Sequence, residues 1–234
     1  MLKETVFKAF DDSELLEQQL AERIAIALQQ AIDSRGKASL VVSGGSTPIG
    51  LFQKLSRKVL DWSEVFITLA DERWVDPQND DSNEHLVRQH LLQHCAASAK
   101  FRGLKNMYAT PEAGVAMTTE QLANIPRPFD VVLLGMGNDG HTCSWFPSAP
   151  AEELQQALHG DGLLYATHPT SAPHGRITLS RSAILGSRQI YLHLVGQQKL
   201  AVYKQALAGD DINKMPVRAI LSQHKIPVDV YWAA

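Results

Sequence analysis

The sequence predicts an α/β fold, a doubly wound and mostly parallel sheet with helices on both faces. Short β-branched or apolar segments recur along the chain and alternate with stretches in which apolar residues have helical spacing. One such segment, Ala38–Val42, is largely apolar, which is typical of a strand covered by helices on both sides. Since 234 residues suffice for one sizeable core, we expect a single α/β domain over residues 1–234, with room for a small inserted lobe.

Eight segments have the length and residue content of strands. They lie at residues 5–10, 38–42, 65–70, 129–134, 163–167, 176–179, 190–195 and 228–231. Because strands that alternate with helices are joined by crossover connections, we expect most of them to run parallel.

Capping residues predict the bounds of the first helix. Asp12 or Ser13 can cap it, and its apolar residues recur at helical spacing until Gly36 ends it. A last helix is predicted over residues 197–207.

Two more helices are predicted from local signals alone. Thr47 and Pro48 have the pattern of an N-cap and a first helical residue, for a helix that runs to Arg57. Asp81 and Glu84 have the spacing of a capping box at the start of another helix.

Charge and composition argue against several classes of protein. The chain has 22 basic and 25 acidic residues, so it lacks the basic excess of a nucleic-acid-binding protein. No apolar run approaches the ~20 residues that span a bilayer, and Met1 is followed by no apolar leader core. We therefore expect no nucleic-acid or membrane partner and a cytoplasmic location.

The two cysteines, Cys95 and Cys143, are too few for a disulfide framework and are predicted to be packing thiols.

The first candidate site is the turn after the strand at residues 38–42. Backbone N–H groups, small hydroxyls and a helix start converge there, which favours a bound phosphate. The turn consists of Ser43, Gly44, Gly45, Ser46, Thr47 and Pro48. A tight turn without a ligand is the alternative interpretation, since no P-loop lysine follows. Ser46 is a weak candidate nucleophile, because Pro48 stands where a nucleophile elbow needs glycine.

Three cations lie near the predicted ends of strands, where parallel sheets bind ligands. Arg73, in the segment Asp71-Glu72-Arg73, could hold a phosphate or carboxylate through two hydrogen bonds, or form an ordinary surface ion pair. Arg176 and Lys199 are further candidates to bind such an anion, and the alternative for both is again an ordinary surface charge. Lys199 lies in the first turn of a predicted helix, where the macrodipole disfavours a cation unless an anion is bound nearby.

A glycine-rich segment at residues 135–140 formally matches the dinucleotide fingerprint. It lies past the middle of the chain, and Pro147 and Pro150 prevent a helix from starting directly after it, so we predict a long active-site loop instead. Asp139 and His141 lie in this loop. An imidazole can exchange protons near neutral pH, so His141 is a candidate general base, with a structural histidine as the alternative.

Together these motifs resemble the 6-phosphogluconolactonase family, which shares its Rossmann-like fold with the glucosamine-6-phosphate isomerase/deaminases. The matching segments are 43–48, 71–75, 81–83, 135–142, 146–147, 176–179 and 196–199. In the deaminases a glutamate precedes the proline after the Asp-Gly-His core, whereas this chain has Phe146 before Pro147. The resemblance therefore favours the lactonase branch. A deaminase and a non-catalytic sugar-phosphate-binding protein remain the alternatives.

The resemblance implies hydrolysis of 6-phosphogluconolactone, with His141, Asp139 and Asp71 as the catalytic residues. His141 would activate a water molecule and Asp139 would orient its imidazole. The substrate-binding residues would be Gly44, Gly45, Ser46, Thr47, Arg73, Arg176 and Lys199. No metal or organic cofactor is expected, and the implied partner is a small sugar-phosphate lactone. We expect a monomer or a weak dimer.

Overall fold

A computed structural model describes residues 5–234 of the chain. In that part the strands are β1 (Val6–Phe10), β2 (Ala38–Val42), β3 (Val65–Leu69), β4 (Asp71–Arg73), β5 (Lys100–Arg102), β6 (Val131–Leu134), β7 (Leu164–Thr167), β8 (Arg176–Leu179), β9 (Ile190–Val195) and β10 (Val228–Ala233). The helices are α1 (Ser13–Arg35), α2 (Ile49–Leu55), α3 (Asn83–His90), α4 (Pro111–Gln121), α5 (Ala151–His159), α6 (Arg181–Leu185), α7 (Gln197–Leu207) and α8 (Arg218–Leu221). Short 3-10 turns lie at Trp62–Glu64 and His94–Ser98.

Seven strands form one sheet in the order β1-β10-β9-β6-β2-β3-β5, and every neighbouring pair is parallel. From β2 the chain moves outward to β3 and β5, and then returns to β6 on the other side of β2. The strand order thus reverses between β2 and β6, and this is where open parallel sheets bind ligands at the carboxyl ends of their strands.

A second sheet has three antiparallel strands in the order β4-β8-β7. It lies at the carboxyl end of β3, because β4 follows β3 after a single residue, Ala70. The carbonyl of Ala70 accepts a hydrogen bond from the backbone N–H of Leu179, at the end of β8, over 2.8 Å. Residues from β4 and β8 therefore reach the edge of the main sheet where the strand order reverses.

The predicted α/β class is confirmed, as are six of the seven strands of the parallel sheet; the remaining strand, β5, was not predicted. The local signals for α1 hold: Asp12 accepts a hydrogen bond from the N–H of Leu15 over 2.7 Å, and Gly36 ends the helix with a φ of 74°. A continuous hydrophobic core packs between the sheet and the helices, with Trp62, Trp145 and Phe52 among its largest side chains.

The predicted start of α2 is wrong. The helix begins at Ile49 and ends at Leu55, with Pro48 at the N-cap position and no side-chain capping bond. Thr47 instead belongs to a turn in which the N–H of Ile49 bonds to the carbonyl of Ser46 over 3.4 Å.

The predicted capping box of α3 is also wrong. Ser82 is the N-cap, and its hydroxyl accepts a hydrogen bond from the N–H of His85. The carboxylate that satisfies this helix end belongs to Glu72 in β4, which accepts from the backbone N–H groups of Asn83 and Glu84 over 2.8 Å each. A partner eleven residues away in the chain is invisible to a rule about local spacing.

The two cysteines differ in their surroundings. Cys143 is buried as predicted, whereas Cys95 is exposed, so the prediction that it packs in the interior is wrong. Among residues 5–234, no helix has both the length and the apolar character that a membrane-spanning segment needs.

Candidate active site

A cleft of about 320 Å³ opens at the carboxyl ends of β2, β6 and β9. It is lined by every residue that the sequence predicted for the site except Asp139. That residue is hydrogen-bonded to His141 but does not line the cleft. The lining residues among those predicted are Gly44, Gly45, Ser46, Thr47, Asp71, Arg73, His141, Arg176 and Lys199. The structure therefore brings together five segments that are spread over more than 150 residues of the chain.

His141 and Asp139 form a close pair in the loop after β6. The imidazole Nδ1 lies 2.5 Å from Asp139 Oδ1, which also accepts the backbone N–H of His141 over 3.1 Å. Burial would raise the pKa of Asp139, but the hydrogen bonds and charge of His141 outweigh burial and lower that pKa. An ionised Asp139 favours the neutral tautomer that carries its proton on Nδ1, and Nε2 is then the basic nitrogen of His141.

The lack of a side chain at Gly137 leaves space for the His141–Asp139 pair. A Cβ at Gly137 would lie 2.1 Å from His141 Nδ1 and 2.5 Å from Asp139 Oδ1, far inside van der Waals contact. The loop closes on itself through the N–H of Gly137, which donates to the carbonyl of His141 over 2.8 Å. The glycines of residues 135–140 thus shape a loop that holds the pair, and no helix follows until Ala151.

Phe146 contacts both His141 and Arg176. Its ring stacks on the imidazole with the centroids 3.8 Å apart, and the guanidinium carbon of Arg176 lies 5.0 Å from the centroid of the phenyl ring. Phe146 is only 4% exposed. One rigid aromatic ring therefore packs against both side chains.

Arg73 and Arg176 are directly opposite each other in the antiparallel pair β4–β8. Like charges in this position repel unless an opposite charge joins them. Burial lowers the pKa of Arg176; Asp71 opposes that shift and the neighbouring Arg73 adds to it. Asp71 Oδ2 lies 3.8 Å from the guanidinium of Arg176 and accepts a hydrogen bond from the hydroxyl of Ser144 over 2.5 Å. Asp71 thus lies close to Arg176, and the charges of Glu72 and Asp81 also oppose the lowering of the pKa of Arg176.

Lys199 reaches the cleft from the first turn of α7. Its Nζ donates a hydrogen bond to the carbonyl of Met136 over 2.7 Å, which ties it to the loop after β6. Burial lowers the pKa of Lys199, while the charge of Asp139 opposes that shift. An ammonium group has three N–H donors, so two remain for a ligand.

The turn after β2 packs closely on α3. A Cβ at Gly44 would lie 1.9 Å from Asn83 Oδ1, so only glycine lets the amide approach this closely. The amide nitrogen of Asn83 donates to the carbonyl of Asp71 over 2.8 Å. Gly45 has a φ of 91°, in the left-handed region that favours glycine.

Further polar residues that line the cleft include Ser43, which lies in the predicted phosphate-binding turn, and Asn83 and His193, which were not predicted to belong to the site. Asn83 lay in a recognised motif but had no role assigned, and His193 lies inside an apolar strand, where a histidine is indistinguishable from a core residue. Each of the three has a buried side-chain atom without a hydrogen-bond partner. In the described part of the chain, six of the nine such atoms belong to residues that line this cleft. Buried polar groups are normally paired, so this concentration indicates a polar ligand.

The chain was compared with known proteins. Residues 11–232 match the family model of glucosamine-6-phosphate isomerases/6-phosphogluconolactonase. A 6-phosphogluconolactonase of Pseudomonas aeruginosa is 41% identical over 213 residues, which are 91% of this chain and 88% of that protein. One of Rhizobium meliloti is 41% identical over 96% of this chain and 97% of its own length. The crystal structure of a 6-phosphogluconolactonase from Shewanella baltica superimposes with a TM-score of 0.97 at 68% identity and covers 100% of both chains. The chain belongs to the glucosamine-6-phosphate isomerase/6-phosphogluconolactonase family, which its motifs resemble.

Proposed function

We propose that this chain hydrolyses 6-phospho-D-glucono-1,5-lactone to 6-phospho-D-gluconate. The observation that carries the proposal is the cleft itself, where a His–Asp pair lies beside three cations, and where Nε of Arg73 and Nε of Arg176 have no hydrogen-bond partner in the described part of the chain. A phosphorylated lactone supplies the anion that these cations lack and the carbonyl carbon that an activated water can attack. The similarity to 6-phosphogluconolactonases supports the same reaction.

The phosphate dianion binds to cations and to backbone donors. Arg73 and Arg176 come from the small sheet and Lys199 from α7, so the three approach from different sides of the cleft. The turn from Gly44 to Thr47 adds small hydroxyls and backbone N–H groups. A dianion placed among these groups relieves the repulsion between the opposed arginines. A neutral sugar cannot provide this stabilisation.

His141 acts as the general base. Its Nε2 takes a proton from water as the water oxygen bonds to the lactone carbonyl carbon, and Asp139 stabilises the resulting imidazolium. The bond from that carbon to the ring oxygen then breaks, and the imidazolium returns the proton to the ring oxygen as it leaves. The product is a carboxylic acid that ionises in water, so no external oxidant, reductant or cofactor is consumed.

Asp71 is the third proposed member of the catalytic group. Its contact with Arg176 supports a role in orienting that guanidinium toward the phosphate, and a backbone N–H of the turn after β2 is the candidate donor to the oxyanion. Since the cleft takes residues from both sheets, we propose that residues 1–234 work as one lactonase domain. A cytoplasmic location and a monomeric or weakly dimeric state stay predictions.

The test is a coupled assay in which glucose-6-phosphate dehydrogenase generates the lactone in situ. Wild type should remove the lactone faster than its spontaneous hydrolysis, and His141→Asn should lower kcat by about 10²-fold with little change in KM. His168→Asn is the matched control, because His168 also pairs with carboxylates but lies outside the cleft. Wild-type turnover at the background rate would refute the function, and normal turnover by His141→Asn would remove that residue from the mechanism.

The isomerase/deaminase alternative is tested with glucosamine 6-phosphate. A deaminase would release ammonia and fructose 6-phosphate, and we expect neither, because Phe146 supplies no acid–base group. Tight binding of sugar phosphates without turnover of either substrate would instead support a sugar-phosphate-binding protein.

A further inference from the structure

His193 is a buried histidine in the candidate active site that none of the steps above uses. It lies in β9, lines the cleft and is 3% exposed. Neither Nδ1 nor Nε2 has a hydrogen-bond partner in the described part of the chain. Burial lowers the pKa of His193 to about 4, so the ring is neutral at physiological pH.

The surroundings of His193 explain why the protein itself offers no partner. On one side it is paired in register with Tyr231 of β10, whose ring meets that of Tyr191 edge-on at 5.8 Å. On the other side β6 ends at Leu134, which pairs with Leu192, so Gly135 comes next to His193. A Cβ at Gly135 would meet no heavy atom within 4 Å. In the sheet, His193 thus has Tyr231 on one side and, next to Gly135, the open cleft on the other.

A neutral, unpaired imidazole at this place favours a hydroxyl group as its partner. It offers one donor and one acceptor, and a hydroxyl can pair with either nitrogen whichever tautomer is present. A phosphate dianion only accepts hydrogen bonds, and Arg73, Arg176 and Lys199 satisfy it better than an uncharged ring does. In a sheet whose other buried polar groups are bonded, leaving both nitrogens unpaired costs stability unless a ligand compensates when it binds.

We propose that His193 is a specificity-determining residue, which hydrogen-bonds a ring hydroxyl of the bound sugar phosphate and fixes how the lactone lies relative to His141. This inference rests on the proposed function and deepens it. His193 takes no proton during the reaction; it discriminates in favour of polyhydroxylated substrates over deoxygenated ones.

The experiment compares His193→Phe, His193→Gln and the matched control Tyr191→Phe. Tyr191 lies on the same face of β9 two residues earlier and does not line the cleft, so its variant tests whether altering the buried strand is harmful in itself. We expect His193→Phe to raise KM by about 10- to 100-fold, because a substrate hydroxyl loses its partner. His193→Gln, which keeps a donor and an acceptor, should restore most of that loss, and Tyr191→Phe should leave KM unchanged.

A second readout identifies the hydroxyl. Inhibition constants are measured for 6-phosphogluconate and its 2-, 3- and 4-deoxy derivatives with wild type and with His193→Phe. Wild type should bind one deoxy derivative at least tenfold more weakly than 6-phosphogluconate. His193→Phe should bind that derivative and 6-phosphogluconate equally. Identical inhibition ratios in both proteins would overturn the proposal.

The outcomes separate this inference from the proposed function. Wild-type turnover at the background rate would refute the lactonase function, whereas a fast wild type and an equally fast His193→Phe with normal KM would refute the role of His193 alone. If His193→Phe does not fold, His193→Gln and the deoxy series with wild type still decide the question, since equal binding of all derivatives by both would exclude a hydroxyl partner.

Discussion

Replacing Gly137 by alanine tests whether the distance between His141 and the substrate carries the catalysis. The backbone permits alanine here, because Gly137 is not among the glycines with positive φ. The new Cβ would lie 2.1 Å from Nδ1 and 2.2 Å from Cε1 of His141. Since ordinary contacts begin at about 3.4 Å, the imidazole has to move by more than about 1 Å, a displacement that can cost about 10²-fold in rate.

The fold should tolerate this change. The His141 and Asp139 side chains are 27% and 36% exposed, so they can move outward without opening the core. We therefore expect Gly137→Ala to lower kcat by about 10²-fold in the coupled lactonase assay, while Tm stays within a few degrees of wild type.

A double-mutant cycle tests the reasoning. If Gly137→Ala acts by displacing His141, adding it to His141→Asn should cost little more, because the base is already absent. A double variant that loses activity multiplicatively would show that Gly137 acts elsewhere. Retention of more than half of the wild-type kcat by Gly137→Ala would refute the steric argument itself.

Three further predictions concern single side chains. Arg73→Ala should raise KM by about 10- to 100-fold and weaken inhibition by inorganic phosphate, because a charge-assisted contact to the substrate is lost. An unchanged KM together with unchanged phosphate inhibition would show that Arg73 does not bind the phosphate. Glu72→Gln should lower the free energy of unfolding by about 2 kcal/mol and Tm by roughly 4–8 °C, because its amide nitrogen would face N–H donors that the carboxylate now accepts; an unchanged midpoint in urea would contradict this. For His193, the unfolded chain takes up a proton near pH 6.5 and the folded chain near pH 4, so wild type should lose up to about 3 kcal/mol of stability across that interval as the pH falls. His193→Phe should remove this loss in urea titrations at several pH values, and an undiminished acid sensitivity would show that another group is responsible.

Local chemistry made much of the fold predictable. The strand at Ala38–Val42 and the ends of α1 depend on neighbours in the sequence, and the structure has them as predicted. The start of α3 depends on Glu72, which reaches it through tertiary packing, so the local rule chose the wrong cap. The three-residue strand β5 is too short to show a period, whereas α4 was missed although Thr110 caps it and Pro111 follows as its first residue.

The sequence predicted which segments form the candidate site. It did not predict how the side chains of those segments face one another. Residues that follow strands of a parallel sheet meet at one edge, and this rule brought the segments containing Gly44 and His141 together. The opposition of Arg73 and Arg176 depends on an antiparallel pairing between strands about a hundred residues apart, which no local pattern indicates. His193 was hidden for a different reason, since a polar residue becomes informative only when its lack of partners can be seen.

The stack formed by His141, Phe146 and Arg176 links the fold to the choice of reaction. The ring of Phe146 contacts both groups. It stacks on the imidazole with the centroids 3.8 Å apart, and its face stabilises the guanidinium, whose carbon lies 5.0 Å from the ring centroid. A glutamate at this place, as in the deaminases that share the fold of the 6-phosphogluconolactonases, would introduce a negative charge beside both groups and a second proton carrier. An apolar residue therefore stands where the deaminases have an acid–base group, which agrees with the proposed hydrolysis of a lactone.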